Sequence, residues 1–528
     1  MKSFLLTTKS VNRLDFTTIK SGFLLLADEF YQLLSKTLLS AKSAYTSRVI
    51  VLSVLLLTGR IGMLHAQNPL ATAGKFNVFL AGDATLTTNE SEGAVALGGN
   101  LTVAGNYQIA AKSGATAFTV NNYPIGLVVG KGVKLQQGTL QVNSGTYAKI
   151  GECAGNTATN ALKVWYRDNN GAYSTIRVTK SNADYSSTPM ILINQNANAS
   201  TETNTPICQG NVIDFSGSFA NLKSNSSALA QAAAHVKLTN PNGQTISTTN
   251  LPSQVKIGLY SGINVWNVTG EDLNRIENLT YTDAPSSAQV LVINVNAAGS
   301  FTWKTPSLGG VSGNNAPYIL WNFYNTTQLN IEGNSTIEGS VLAPLANVVK
   351  TVNQSNIEGQ LIANSYVQSG GEMHHFPFDA DLKALLCPDL TPIIYARSST
   401  VYNTSPITVV VDVLEVLNKA TSGLITVKVS KEDMVTLKFD AGTTKLDNRS
   451  VQNSQWTFDG TSDPNYYIFK TTSVIAGTDQ LSFGLTGTLT PGATSGTVTF
   501  STMIVGYSGG ESRITNNMDA DKIDYFQK

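Results

Sequence analysis

The chain has 528 residues, 35 basic and 35 acidic side chains, and only 13% charged against 42% hydrophobic residues. Nucleic-acid binding through phosphates needs a surplus of Lys and Arg, so this balance argues against a nucleic-acid partner. Val, Ile, Leu and Phe recur in short runs throughout the chain, which argues against intrinsic disorder. At ordinary domain sizes the length predicts about two to four domains.

The first processing signal is the apolar run Val49 to Leu57, which follows Arg48 and precedes Leu64 to Ala66. A basic flank, a short apolar stretch and a small residue are typical of a secretory signal peptide, and cleavage after Ala66 is expected. The run is too short for a membrane span, which takes about 20 apolar residues. We therefore predict a signal peptide with a long leader over residues 1–66, a secreted or cell-surface protein and no transmembrane span in the mature chain. The alternative is an N-terminal membrane anchor.

The three cysteines are too few for a disulfide scaffold. At most one bridge can form between them. Cys153 and Cys208 are the candidate pair, which leaves Cys387 over.

From Gln67 onward the hydrophobic period is two, in short runs broken by Gly or Asn, which predicts short strands and tight turns. One segment repeats: Ile337 to Ala343 returns as Ile357 to Ala363, 20 residues later. That spacing fits one turn of a solenoid, in which each coil stacks its apolar side chains on the next.

Glycines recur at the ends of these runs, where we expect structural corners with positive φ. A phosphate-binding loop would lead into a helix, and the sequence predicts none after these positions. The glycines assigned to structural turns are Gly93, Gly98, Gly99, Gly339 and Gly359.

One stretch departs from the strand pattern. Residues 215–238 place Phe215, Phe219, Leu222, Leu229 and Ala233 at helical spacings. We predict one helix here that covers an apolar side of the β structure.

The motifs, taken in chain order over about residues 75–386, resemble the bacterial choice-of-anchor A domain. The resemblance implies an adhesive, surface-exposed domain with a β-solenoid fold similar to that of bacterial ice-binding proteins, here taken as right-handed and assigned to residues 67–386. The final residues, Asp519 to Lys528, carry neither a sortase-type motif nor a hydrophobic tail, so covalent wall anchoring is not expected. The segments that carry the resemblance are Phe76 to Asp83, Glu92 to Asn100, Ile213 to Phe215, Val290 to Val295, Gly339 to Pro344, Gly359 to Ala363 and Gly371 to His375.

After Cys387 the pattern changes to longer β runs separated by turn clusters, and we place a second domain over residues 387–528. About seven strands in this length favour an immunoglobulin-like sandwich. The segments Asp389 to Pro392, Glu415 to Asn418 and Gly509 to Asn517 resemble immunoglobulin-like repeats of bacterial surface proteins, which implies a spacer. The plain β runs are Ile407 to Leu414, Leu424 to Val429, Tyr466 to Thr471, Gln480 to Leu485 and Thr497 to Val505.

Candidate metal ligands are few. His374 and His375 are adjacent, so on a strand they point to opposite faces, whereas zinc needs three or four convergent donors. Glu338 and Glu358 occupy equivalent places in the repeat and could hold calcium, but a solvated acidic face is the preferred interpretation. We expect no metal and no cofactor.

Catalysis is not expected, because the histidines of the mature chain are His235, His374 and His375, none of them near a nucleophile motif. A polysaccharide-acting β-helix enzyme would need clustered acids and bases on one face, and the charged residues look scattered.

The preferred function is non-catalytic adhesion to an extracellular glycan or protein, in which exposed aromatic side chains make the contacts. The candidate aromatics are Trp165, Tyr166, Trp266 and Trp321, although Trp321 also fits a core position. The alternative is ice binding, which needs a regular face of small hydroxyl groups. The candidate hydroxyls are Thr85, Thr87, Thr102 and Thr336, but they form no ladder at the 20-residue period.

Overall fold

The computed structural model describes residues 70–154, 161–352, 355–492 and 494–527. The protein is mainly β, with 47% strand and 10% helix. The predicted signal peptide and leader, residues 1–66, lie outside the described residues. Within the described ranges, no helix is long and apolar enough to cross a membrane.

Short strands with one helix make up the first part of the chain. The strands are β1 (Val78–Leu80), β2 (Ala84–Leu86), β3 (Glu90–Ser91), β4 (Val95–Leu97), β5 (Leu101–Ala104), β6 (Tyr107–Ile109), β7 (Thr119–Val120), β8 (Tyr123–Val129), β9 (Val133–Gln137), β10 (Thr139–Val142), β11 (Tyr147–Ile150), β12 (Leu162–Arg167), β13 (Tyr173–Lys180) and β14 (Met190–Asn196), and the helix is α1 (Ala199–Asn204).

The middle part carries three more helices, α2 (Phe215–Leu229), α3 (Gly270–Arg275) and α4 (Lys383–Leu386). Its strands are β15 (Lys237–Thr239), β16 (Gln254–Gly258), β17 (Gly262–Thr269), β18 (Asn278–Tyr281), β19 (Gln289–Asn296), β20 (Gly299–Lys304), β21 (Ser307–Gly309), β22 (Ile319–Asn322), β23 (Thr326–Glu332), β24 (Ile337–Glu338), β25 (Ser340–Lys350), β26 (Ile357–Glu358), β27 (Leu361–Gln368) and β28 (Met373–His374).

The last part contains strands only, apart from single turns of 3-10 helix. The strands are β29 (Leu390–Arg397), β30 (Thr400–Tyr402), β31 (Ser405–Glu415), β32 (Ile425–Ser430), β33 (Val435–Lys438), β34 (Lys445–Leu446), β35 (Arg449–Ser450), β36 (Thr457–Asp459), β37 (Tyr466–Thr471), β38 (Gln480–Leu489), β39 (Gly496–Ile504) and β40 (Met518–Phe526).

Three runs of mostly parallel strands enclose one hydrophobic core in residues 70–382. The helix face has the order β11-β8-β4-β1-β27-β25-β22-β19-β17. The open face has the order β20-β23-β25-β27-β2-β5-β9, because β25 and β27 are long enough to run on from the helix face. The histidine face has the order β12-β13-β14-β10-β6-β3-β28-β26-β24.

The predicted stacking of the 20-residue repeat is confirmed by the strand register. Ile337 pairs with Ile357 and Val341 pairs with Leu361, each with an offset of 20 residues. Parallel strands in register place identical side chains on top of one another, so the apolar members form continuous inward rows.

The first strands of the domain lie in the middle of each face rather than at an end. Val78 of β1 pairs with Val95 on one side and with Leu361 on the other. Strand β2 lies between β5 and β27, and β3 lies between β6 and β28. We call this junction, where β1–β3 meet β27 and β28, the seam.

Buried amide side chains join the two sides of the seam. The Asn77 side chain donates to the carbonyls of Gly359 (2.6 Å) and His374 (3.0 Å). The Gln360 amide donates to the carbonyls of Phe76 (2.6 Å) and Gly74 (3.2 Å). Both side chains are fully buried, so each amide satisfies backbone groups that water cannot reach.

Helix α2 covers the helix face, as predicted, but it ends at Leu229 rather than near residue 238. Its aromatic residues pack on β1, where Phe219 stacks on Phe79 with ring centroids 5.5 Å apart. The Ala-rich segment that follows is not helical, and Ala233 is exposed rather than packed. Intrinsic propensity alone would continue the helix, but the chain turns away at Ala230 because its carbonyls find other partners.

Those partners are asparagines stacked in register on β17, β19 and β22. Asn322 donates to Ser226 O and Asn294 donates to Leu229 O, both at 2.8 Å. Asn267 continues the row and donates to Ala232 O at 2.9 Å. The last carbonyls of a helix have no partner within the helix, so this row binds the end of α2 to the sheet.

Two antiparallel sheets with a separate hydrophobic core make up residues 390–526. One sheet has the order β29-β31-β38-β33 and the other has the order β30-β40-β39-β32-β37-β36. Phe469 and Phe483 stack between them with ring centroids 3.9 Å apart. Each of the five β runs predicted in this part coincides with a strand. We call this part the C-terminal module.

Cys153 and Cys208 form a disulfide with a Cα–Cα distance of 5.8 Å, and Cys387 is a free thiol. The C-terminal module contacts helix α2 through Lys419, whose ammonium donates to Ala228 O at 2.8 Å. A cation at a helix C-terminus also interacts favourably with the helix dipole.

The seam amides predict a strong effect of a single substitution. Gln360→Met keeps the length of the side chain but removes the donor for the carbonyls of residues 73–76 and the acceptor for Phe378 N. Buried groups without partners are costly, so we expect a loss of about 2–4 kcal/mol in the free energy of unfolding. Urea denaturation followed by circular dichroism measures it.

The matched control is Gln328→Met on the open face, whose half-buried amide donates to Asn330 Oδ1. We expect this variant to stay within about 0.5 kcal/mol of wild type. Equal stability of the two variants would contradict the importance of the seam.

Candidate binding face

The open face presents a continuous row of side chains to solvent along its middle. Alternate residues of each strand point into the core, and the residues between them point outward. Parallel strands are about 4.8 Å apart, so the outward side chains repeat at about that spacing. In spatial order the row contains Thr302, Asn330, Val349, Val367, Thr85, Thr102 and Lys134.

This outward row combines hydroxyl and amide groups with two valines at its centre. Val367 is 38% exposed, which is unusual for a branched apolar residue on a strand. The only charged member is Lys134, at the end of the row. Lys350 belongs to an inward row and donates to Val352 O and Gly370 O, so its charge does not reach this surface.

A second outward row runs beside the first and is held by its own hydrogen bonds. Asn347 Oδ1 accepts from Asn364 Nδ2 (2.8 Å) and from Ser365 Oγ (2.7 Å). Across the seam, Asp83 Oδ1 accepts from the backbone N–H of Asn100 at 2.7 Å. Side chains fixed in this way lose little conformational entropy when a partner binds, which favours binding.

The threonines singled out from the sequence are only partly brought together. Thr85 and Thr102 are neighbours in register on the open face. Thr87 follows the end of β2, and Thr336 lies before β24 beside the histidine face. The missing members of a threonine ladder are Val349, Val367 and Asn330, so the face is mixed in chemistry.

The histidine face carries a charged cluster that the sequence places only in part. Glu338, Glu358 and His374 are consecutive in register on β24, β26 and β28. His374 Nδ1 lies 2.7 Å from Glu358 Oε1, and His374 Nε2 lies 3.1 Å from Glu372 Oε2. The interpretation of Glu338 and Glu358 as scattered, solvated charges is therefore wrong, because one imidazole joins two carboxylates here.

The surroundings shift the pKa values of this cluster. Hydrogen bonding to Glu358 raises the pKa of His374 to about 9, against the opposing effect of burial. Burial, with the nearby charge of Glu358, raises the pKa of Glu338 to about 7. Burial lowers the pKa of His375, the neighbouring histidine. Within the described residues, no group of three or more His, Cys, Asp or Glu side chains is arranged to hold a metal ion.

The five glycines assigned to corners have two different physical roles. Gly339 has a φ of 113°, as predicted for a corner. Gly93, Gly98, Gly99 and Gly359 do not have positive φ, so that part of the prediction is wrong for them. They allow close approach between coils instead, because a Cβ on Gly98 would lie 2.5 Å from Ala81 O and a Cβ on Gly359 would lie 2.5 Å from Gly339 O.

Two of the four aromatic residues considered for ligand contact are core residues. Trp266 and Trp321 have no exposed surface. Trp165 and Tyr166 lie half-buried on β12, where the Lys163 ammonium is 3.5 Å from the Trp165 ring centroid. The ring of Trp165 is thus already covered by a cation, and neither residue belongs to the open face.

A sequence model of the family described as "Putative Ice-binding-like adhesive domain" matches residues 69–375, which is 307 of the 528 residues. The chain belongs to this family. Membership in this ice-binding-like adhesive family fits a non-enzymatic binding role and an extracellular or surface location. The narrower choice-of-anchor A assignment stays a prediction.

Among solved structures, the chain is similar to an ice-binding protein from the Antarctic ascomycete Antarctomyces psychrotrophicus, with 14% identity, 58% of this chain and 97% of that chain covered, and a TM-score of 0.26. An ice-binding protein from an Antarctic biological consortium shows 11% identity, coverage of 59% and 92%, and a TM-score of 0.21. A CARDB domain from Pyrococcus furiosus, in complex with di-metal ions, shows 14% identity, coverage of 27% and 96%, and a TM-score of 0.17. No curated protein matches the sequence.

The His374 cluster predicts a pH-dependent contribution to stability. The pKa of His374 is about 9 in the folded protein against an ordinary value of 6.5, so the folded state binds the proton more tightly. The stabilisation is therefore complete below about pH 6.5 and is lost as the pH rises through about 9. We expect the stability advantage of wild type over His374→Gln to disappear across this window in urea denaturation.

Comparison with His374→Gln removes the contributions of groups that both proteins share, such as Glu338. His235→Gln is the control, because His235 is exposed and stacks on Tyr260 away from this cluster. An advantage of wild type over His374→Gln that stays constant from pH 6 to 9.5 would contradict the assignment.

Proposed function

We propose that the protein is a secreted or cell-surface, non-catalytic adhesin that binds an extracellular glycan or protein surface through the open face. The observation that carries the proposal is the outward row from Thr302 to Lys134, in register over seven strands. Such a row offers many equivalent weak contacts to a partner surface that itself repeats.

The chemistry of the row suits an extended, hydrated partner. Hydroxyl and amide groups donate and accept hydrogen bonds, also through bridging water, while the valines add apolar contact. The helix face is less suited to binding, because α2 covers it. Family membership supports adhesion as the type of activity, and the identity of the partner is part of the proposal.

We interpret residues 67–386 as a right-handed β-solenoid of the choice-of-anchor A type from a bacterial surface protein. Parallel strands in register on three faces support this interpretation. We interpret residues 387–528 as an immunoglobulin-like module that spaces the binding domain from its attachment point. Its two antiparallel sheets around a separate core support that role.

Blocking the open face tests the proposal. The double variant Thr85→Tyr/Thr102→Tyr places two rings at adjacent positions of the outward row, where no inward contact changes. The full chain would be assayed for saturable binding to a panel of polysaccharides, matrix proteins, bacterial cells and ice crystals. We expect binding to one extracellular surface class and at least about a tenfold loss of affinity in the double variant.

Gln108→Tyr/Gln141→Tyr is the matched control, because these two residues are adjacent outward neighbours on the histidine face. We expect it to bind like wild type. Equal loss in both double variants would overturn the assignment of the open face. Binding to ice alone would replace adhesion by ice binding, and no binding to any surface would overturn the proposed function.

A further inference from the structure

Three carboxylates are buried together at the end of the C-terminal module where the chain enters it. Asp389 has no exposed surface, Glu415 is 2% exposed and Glu511 is 3% exposed. Asp389 comes directly before β29, Glu415 ends β31, and Glu511 lies on the loop between β39 and β40. Buried carboxylates are expensive unless they are paired or bind a cation.

Glu415 has all the partners that it needs within the protein. Its two oxygens accept from the backbone N–H groups of Leu417 (2.9 Å), Lys419 (3.1 Å) and Thr478 (2.9 Å). It also accepts from the N–H of Asp389 at 3.2 Å. Glu415 is therefore a structural residue that orders the loops around it.

Asp389 and Glu511 are each in contact with an asparagine amide. Asn516 Nδ2 lies 2.9 Å from Asp389 Oδ1, and Asn517 Nδ2 lies 2.6 Å from Glu511 Oε1. The Oδ1 atoms of both asparagines are buried and have no hydrogen-bond partner. Asn517 as a whole is only 4% exposed. A buried acceptor without a partner usually marks a missing ligand, and here two occur beside two carboxylates.

The positive charge near these two carboxylates is small. Arg513 is the ion-pair partner of Asp389, at 3.3 Å from Oδ2, and its side chain is 59% exposed. Exposed ion pairs of this kind contribute little to stability. Burial and the neighbouring charge of Asp389 raise the pKa of Glu511 to about 7, despite its hydrogen bonds to Asn517 and Leu390. The two carboxylates thus oppose each other in a poorly compensated site.

We propose that Asp389, Glu511, Asn516 and Asn517 form a calcium-binding site. Calcium takes oxygen ligands from carboxylates, amide side chains and backbone carbonyls in a flexible geometry, which this set provides. A half-turn of each amide exchanges Nδ2 for Oδ1 beside its carboxylate, so the two orphan oxygens become ligands. Only two ligands are carboxylates, which is consistent with the lack of a larger acidic or histidine group at this place.

Magnesium fits the same residues less well, because it requires near-ideal octahedral geometry and keeps its water shell. The sequence distance between the ligands is large: Asp389 precedes the first strand of the module and Asn517 precedes the last. A bound calcium ion would therefore fix the entry of the chain against β40, beside the backbone bond from Thr391 Oγ1 to Asn516 O.

The test measures calcium binding to the full chain by isothermal titration calorimetry after treatment with a chelator. We expect one saturable calcium site, at least about tenfold weaker binding of magnesium, and a rise of at least about 3 °C in the melting temperature of one transition at saturating calcium. Glu511→Gln removes a charged ligand with little change of shape and should abolish both effects.

A second variant covers the possibility that Glu511→Gln folds poorly. Asn516→Ala removes an amide of a half-buried loop residue, so its melting temperature in chelator should match wild type while its calcium affinity falls at least about tenfold. Asp433→Asn, an exposed acid of the same module, is the control and should bind calcium like wild type. No saturable calcium binding by wild type, an equal response to magnesium, or unchanged affinity in Asn516→Ala would each overturn the proposal.

Discussion

The arrangement of the adhesive domain depends on the pairing of its first strand with strands nearly 300 residues away. Strand β1 completes the helix face only when Val78 and Leu361 are in register, and β2 and β3 make the same junction on the other two faces. Backbone pairing alone would allow these short strands to slip by one residue. The amides of Asn77 and Gln360 remove that freedom, because each reaches carbonyls on the opposite side of the seam. The open face crosses the same junction between Val367 and Thr85, so the proposed binding surface is continuous only when the seam is closed.

Stacked amide side chains are a recurring means of satisfying backbone groups in this protein. On the helix face, the row of Asn267, Asn294 and Asn322 receives the carbonyl end of α2, and the amides also bond to one another along the row. On the open face, Asn347 and Asn364 order a row that faces water. The same residue type therefore fixes a helix where it is covered and prepares a surface where it is not. Parallel register explains both uses, because it repeats one side chain at the same height from strand to strand.

The sequence predicts those parts of the structure whose partners are close in the chain. The repeat at Ile337 and Ile357 predicts its own register, and the alternating runs of the C-terminal module predict its strands. The seam could not be predicted, because Val78 and Leu361 share no repeated pattern that would mark them as neighbours. The end of α2 is missed since the Ala-rich segment favours helix locally, while distant asparagines determine where the carbonyls bond. For the candidate site, Thr85 and Thr102 are recognisable, but Asn330, Val349 and Val367 join their row only through long-range pairing.

The position of the seam also has a consequence for the order in which the domain can be completed during synthesis. Strands β1 to β3 leave the ribosome first, yet one edge of each stays without its neighbour until β27 and β28 have followed. The contacts that close the junction join residues 282 to 297 positions apart. For that interval the nascent chain exposes three unpaired strand edges, which are templates for intermolecular association. A chain of this design benefits from being held unfolded until its translation is nearly finished.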